Sequence, residues 1–93
     1  MVVGVCTVSL HIPDSRSLKD KRRVLKSLKD RLRQEFNLSV AEVEDNDLWQ
    51  RATLGLAAVA NEAGFVDEVM AKAVDLVRRR TDVELLDYHT EMR

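Results

Sequence analysis

Ser9, His11 and Asp14 bring a hydroxyl, an imidazole and a carboxylate into one short stretch, the side-chain types of acyl-transfer catalysis. Their setting argues against that use. On a strand, Ser9 and His11 lie side by side on one face, and nothing nearby builds an oxyanion hole. His11 and His89, with carboxylates such as Asp87, are metal-ligand types, but they lack the spacing of a metal site. Gly4, Gly55 and Gly64 are too scattered to form a phosphate loop. Cys6 alternates onto the apolar side of its segment, as a small core residue does. No catalytic residue, metal or cofactor is expected.

Anion recognition fits the sequence better. From Ser17 to Phe36 the chain carries eight basic residues and three acidic ones, a local charge of +5 inside a chain of net charge −1. The remainder therefore carries −6, and the local charge says more about partners than the total does. On a helix advancing about 100° per residue, Arg22, Lys26, Lys29, Arg33, Lys19 and Arg23 share one flank beside an apolar stripe. Such a flank can track phosphates, although a solvated lysine-rich face accounts for the same residues. Lys21 falls inside the apolar stripe, where it is expected to snorkel to the helix end or to hold an anion there. Trp49 and Arg51 supply an indole and a guanidinium, the groups on which bases stack and phosphates dock.

Composition sets the frame. Ninety-three residues, 45% hydrophobic and 33% charged, make one domain with a two-layer core and no room for a deep substrate cavity. No apolar run reaches the roughly 20 residues of a membrane helix. The strand-like start Met1-Val2-Val3-Gly4-Val5 lacks the basic flank of a signal peptide. One cysteine cannot form an internal disulfide, so the cytoplasm is the expected compartment. Three Asn and two Gln in a chain dense in Glu, Lys and Arg fit a thermophilic source.

The elements that must position these residues read as follows. Val2 to Ile12 alternates with the strand period, with Val2, Cys6, Val8, Leu10 and Ile12 on one face and Val3, Val5, Thr7, Ser9 and His11 on the other. Pro13-Asp14-Ser15 breaks it. Ser17 reads as an N-cap with Asp20 in a capping-box arrangement, opening a helix whose stripe is Leu18, Leu25, Leu28, Leu32 and Phe36. Asn37 is the expected left-handed stop. Leu38 to Val43 and Trp49 to Ala60 read as strands around a tight acidic turn that includes Asp45 and Asp47. A second helix, Ala63 to Arg80, turns Val66, Val69, Met70, Ala73 and Val77 inward. Val83 to Met92 is the last strand, its alternation confused by adjacent Leu85 and Leu86.

The order βαββαβ implies two interleaved right-handed crossovers. The expected fold is an α+β, ferredoxin-like two-layer sandwich spanning residues 1–93. It has a four-stranded antiparallel sheet in order 4-1-3-2 with both helices on one face. Strand one then runs antiparallel to strand three, so Ser9 and His11 meet Trp49, Arg51 and Thr53 on the open face. Arg16, Ser17, Lys19 and Arg22 arrive at the same end, where the helix N-terminus also favours anions. Val3, Val5, Ala57 and Val59 occupy the other end of that face, a small apolar patch expected to serve self-association.

The run His11-Ile12-Pro13-Asp14-Ser15-Arg16-Ser17-Leu18-Lys19-Asp20-Lys21-Arg22-Arg23 resembles the YlxP-like proteins, small bacterial proteins classed as a domain of unknown function. The resemblance continues through Phe36 to Val43, Leu48 to Gly55 and Glu84 to Tyr88. It implies a ferredoxin-like fold, in agreement with the periodicity. Genes of that family often stand among those for transcription and translation factors, next to ribosome-binding factor A, which implies an RNA- or ribosome-linked role by association alone. The family offers no established site residues to carry over.

The leading expectation is a non-enzymatic module that binds RNA or a ribosomal subunit through His11, Arg16, Ser17, Lys19, Arg22, Lys26, Lys29, Arg33, Trp49 and Arg51. The alternative is a homodimeric scaffold associating through Val3, Val5, Ala57 and Val59. A third reading, an anion-binding enzyme similar to acylphosphatases, is weakened by the loop Pro13 to Ser17, which contains Arg16 but no glycine.

Overall fold

The computed structural model describes residues 1–93, in the order β1 (Val2–His11), α1 (Leu18–Glu35), β2 (Ser39–Glu44), β3 (Arg51–Ala60), α2 (Ala63–Arg79) and β4 (Glu84–Met92). The four strands form one antiparallel sheet in the order β2-β3-β1-β4. This is the expected topology, with β2 and β4 as its free edges.

Period-2 alternation on β1 and β3 drives the packing. Cys6, Val8 and Leu10 on β1, and Ala52, Leu54, Leu56 and Ala58 on β3, are all buried on one side of the sheet. They join Leu25, Leu28 and Leu32 of α1 and Val66, Met70, Ala73 and Val77 of α2 in one apolar cluster, so both helices cover the same face. Gly4 lets β1 and α2 approach closely. A β-carbon at Gly4 would collide with Cγ1 of buried Val66.

The start of α1 follows the sequence signal. Ser17 Oγ accepts the Asp20 N–H at 3.0 Å, while the Asp20 carboxylate reaches back to the N–H of Arg16 at 3.1 Å. Its end does not. The C-cap is Phe36 in extended conformation (φ −133°), and Asn37 is not left-handed, because the only non-glycine residue at positive φ is Asp45 (φ 64°). Phe36 packs against the core, and an extended cap keeps its ring there as the chain turns into β2. In α2, Val69 is only half-buried, whereas Val74 and Leu76 join the buried set.

Two strand assignments change. β3 begins at Arg51 rather than Trp49, because Gln50 turns its side chain back onto the loop after β1 instead of continuing the pleat. In β4 the pairing with β1 slips between Ser9↔Asp87 and Leu10↔Leu85. Leu86 is the extra residue, a bulge that leaves Leu85 packed on the core and Leu86 exposed. The adjacent leucines that confuse the alternation are the sequence trace of that bulge.

Candidate functional site

Lys21 organises the end of the sheet where the predicted residues meet. Its side chain is buried, 1% exposed, and it neither snorkels to the helix end nor waits for an external anion. Nζ donates to the backbone carbonyls of Asp45 at 2.8 Å, Asn46 at 3.3 Å and Arg51 at 3.1 Å. It also lies 2.8 Å from Glu42 Oε2, which comes from the helix-facing side of β2. The first turn of α1 is thereby bolted to the β2–β3 connection and to the start of β3.

Two further contacts fix the same corner. Asp45, whose positive φ makes the turn, accepts the Thr53 hydroxyl at 2.9 Å on Oδ2. Thr53 is consequently buried rather than displayed on the open face. Gln50 Nε2 donates to the carbonyls of Pro13 at 3.2 Å and Ser15 at 3.0 Å, and its own carbonyl accepts the Ile12 N–H at 2.8 Å. The loop after β1 and the segment carrying Trp49 are therefore tied across the sheet end.

The register brings the strand residues together as expected, with Ser9 opposite Thr53 and His11 opposite Arg51. His11 Nδ1 is 3.5 Å from Glu84 on β4. Arg51 is exposed and makes no ion pair. Trp49 stands in the irregular segment before β3, 56% exposed, so it is presented by the tied turn and not by the pleat. Ser17 is occupied as the helix cap and has no free role.

The basic flank divides in two. Lys26 pairs with Asp30 at 2.8 Å, and Arg33 reaches Asp30 at 3.8 Å while its Nη2 donates to the Val40 carbonyl at 2.9 Å. The hydrogen bond from Lys26, reinforced by Arg33 and Lys29, holds the Asp30 carboxyl below its ordinary value. Those two cations are already engaged. Of the 15 Lys and Arg side chains, eight form ion pairs: Lys21, Lys26, Arg31, Arg33, Lys72, Arg79, Arg80 and Arg93. The remaining seven are Arg16, Lys19, Arg22, Arg23, Lys29, Arg51 and Arg78, and Arg78 lies over the Tyr88 ring at 5.9 Å. The other six belong to α1, the loop before it, and the first residue of β3.

On the open face, Val3 stands opposite Val59 and Val5 opposite Ala57, so the apolar patch is contiguous. It runs on into a shallow depression of about 430 Å³ over Gly55, walled by Val43 and Ala41 of β2. Val3, Val5 and Ala57 are half-buried, whereas Val59 and Val43 are more than half exposed. No three His, Cys, Asp or Glu side chains converge as a metal site would require. No helix is long and apolar enough to cross a membrane.

Gln50 and Glu42 are the participants that residue typing overlooked. Gln50 carries no local signal. Glu42 does, since it is a charged residue sharing the strand parity of buried Val40, just as Lys21 is a charged residue on an apolar helix stripe.

A family model described as a protein of unknown function (DUF503) matches residues 3–90 of the chain. The uncharacterized protein YlxP of Bacillus subtilis (strain 168) is 30% identical over 90 residues, covering 97% of this chain and 98% of the relative.

Proposed function

The chain belongs to the DUF503 family of proteins of unknown function, and we propose that it is a non-enzymatic, ribosome-associated module that binds RNA through the corner built around Lys21. One observation carries this reading: six of the seven Lys and Arg side chains outside ion pairs lie on α1, in the loop before it or at the first residue of β3, the elements that meet at that corner, and Trp49 is exposed there. An ion-paired arginine must exchange a partner to bind phosphate, whereas an unpaired one only releases counterions. The indole supplies a stacking surface that needs no charge. The test is co-sedimentation of the intact protein with ribosomal subunits, and binding to a single-stranded RNA, at two salt concentrations. Binding at low salt that falls steeply at high salt and is weakened by Trp49→Ala supports the reading. Absence of binding to either ligand at low salt rejects it.

A second reading, a homo-oligomeric scaffold, is favoured by the apolar depression over Gly55 and the exposed Val59 beside it. On that reading Val5→Glu and Val59→Lys lower the mass seen by light scattering.

A further inference from the structure

The two free edges of the sheet are unlike. On β2 the carbonyl of Val40 is capped by Arg33 Nη2 at 2.9 Å, a guard against further strand pairing. The edge of β4 has no such guard. Val3 and Arg93 exchange both backbone N–H···O bonds, at 3.0 and 2.7 Å. Bonded pairs recur at every second residue of an antiparallel ladder, so Asp87, His89, Glu91 and Arg93 spend their backbone groups on β1. Tyr88, Thr90 and Met92 turn theirs outward. Tyr88 and Met92 also leave 47% and 40% of their surface exposed on that edge.

We propose that β4 pairs antiparallel with β4 of a second copy of this chain, with the two-fold axis at Thr90. That register sets Thr90 against the partner's Thr90 and Tyr88 against the partner's Met92, so every outward backbone group exchanges its bonds across the axis. On the opposite face, Asp87 meets the partner's Arg93 and His89 meets the partner's Glu91. Symmetry repeats each of these pairings.

Neighbouring registers lose this complementarity, and like charges placed directly opposite destabilise a sheet. An axis at His89 opposes Asp87 to the partner's Glu91 and imidazole to imidazole. An axis at Glu91 opposes that carboxylate to itself. An axis at Tyr88 runs the ladder into the bulge at Leu86, where the regular pairing stops. Within one chain the charges pair along the strand, His89 with Glu91 at 3.1 Å and Arg93 with Glu91 at 3.2 Å. Dimerisation re-partners them across it. A foreign extended segment could satisfy the backbone but would have no reason to match this charge sequence, and self-complementarity singles out a second copy.

The experiment is sedimentation of the intact protein over a concentration series. The parent should show a monomer–dimer equilibrium. Thr90→Pro removes the outward N–H at the axis without touching a backbone bond to β1, a position where an edge strand tolerates proline, and should give a folded monomer. Glu91→Lys, a surface change that does not depend on Thr90→Pro folding, should weaken the dimer roughly tenfold by replacing the carboxylate that faces the partner's His89 with an ammonium. Adding His89→Glu to it exchanges the signs and should restore the dimer. A parent that stays monomeric throughout overturns the proposal. So does a dimer that survives Glu91→Lys, or one that only Val5→Glu dissociates, which would move the interface to the sheet face. RNA binding is measured separately, so its loss or retention leaves this test unaffected.

Discussion

Lys21 Nζ lies 2.8 Å from Glu42 Oε2, at the centre of a buried knot in which three backbone carbonyls also converge on the same ammonium. Three N–H donors face four acceptors, and Glu42 Oε2 lacks a properly directed hydrogen bond. The carbonyls of Asp45, Asn46 and Arg51 take the donors, and the carboxylate supplies charge balance. The pair therefore holds a backbone turn in place, and that turn displays Trp49.

Replacing Lys21 by Met should be the most damaging single change in this corner. It leaves three carbonyls and a carboxylate without their cation, and breaking a buried pair in this way costs about 3–5 kcal/mol. Against a total stability of about 5–15 kcal/mol, the variant should be marginal. Glu42→Gln should cost clearly less, because the ammonium keeps its three carbonyls. Urea unfolding of both variants, and of the double variant, measures the coupling directly.

Cys6 should resist thiol reagents in the native protein. It is 1% exposed, and burial pushes its thiol up from the ordinary value of 9.0. A raised folded value means that the group's contribution to stability is complete below pH 9.0 and is lost as pH rises through the folded value. Cys6→Ala should cost about 1 kcal/mol at neutral pH from the lost volume. It should also flatten the alkaline fall in melting temperature. Rapid native-state labelling would show that the helix-facing side of β1 opens in solution.

The topology was legible because periodicity reports it: β1, α1, β3 and α2 each bury one face, and the chain order leaves few ways to combine them. What escaped depends on contacts between segments distant in sequence. Lys21 reads as a lysine inside the apolar stripe that snorkels or holds an anion, because its partner Glu42 sits on another element. The two misfits, one charge on an apolar stripe and one on an apolar strand parity, were together readable as a pair. Gln50 and the buried hydroxyl of Thr53 gave no such signal, since both roles exist only once the turn is closed. The division of the basic flank was equally hidden, because Arg33 is engaged by a carbonyl of β2.

Gly4→Ala should destabilise the fold by about 1–3 kcal/mol, the usual cost of overpacking a core. The added methyl meets Val66, which is held in the core by α2. The companion change Val66→Ala opens the space it needs, and the double variant should be less destabilised than the two single effects summed. Thermal unfolding of the three variants decides this.

Acid sensitivity should include a share from Asp82. Hydrogen bonds from Arg80 hold its carboxyl below the ordinary value of 3.8. A depressed folded value gives stability that is present above pH 3.8 and is lost as pH falls through the folded value. Because Asp82 is 39% exposed, solvent screening should keep that share under about 1 kcal/mol. Asp82→Asn should accordingly lower stability slightly at pH 7, and the difference from the parent should shrink as pH falls below 3.8.

Salt dependence separates the roles within the proposed RNA surface. Arg22 and Lys29 are unpaired, so each change to Ala should weaken binding and reduce the salt slope by about 0.7–0.9. Lys26 already neutralises Asp30, and Arg33 is tied to the Val40 carbonyl, so Lys26→Ala and Arg33→Ala should move the slope less. Trp49→Ala should act differently again, costing about 1–3 kcal/mol with the slope nearly unchanged, because stacking is not screened. Arg51→Lys keeps the charge and loses the planar fork, so it should cost affinity without changing the slope. Binding to a single-stranded RNA across a salt series, for the parent and all six variants, resolves these contributions. Equal slope changes at all four α1 positions would mean that the observed ion pairs do not restrain Lys26 and Arg33, and that the flank acts as one undivided patch of charge.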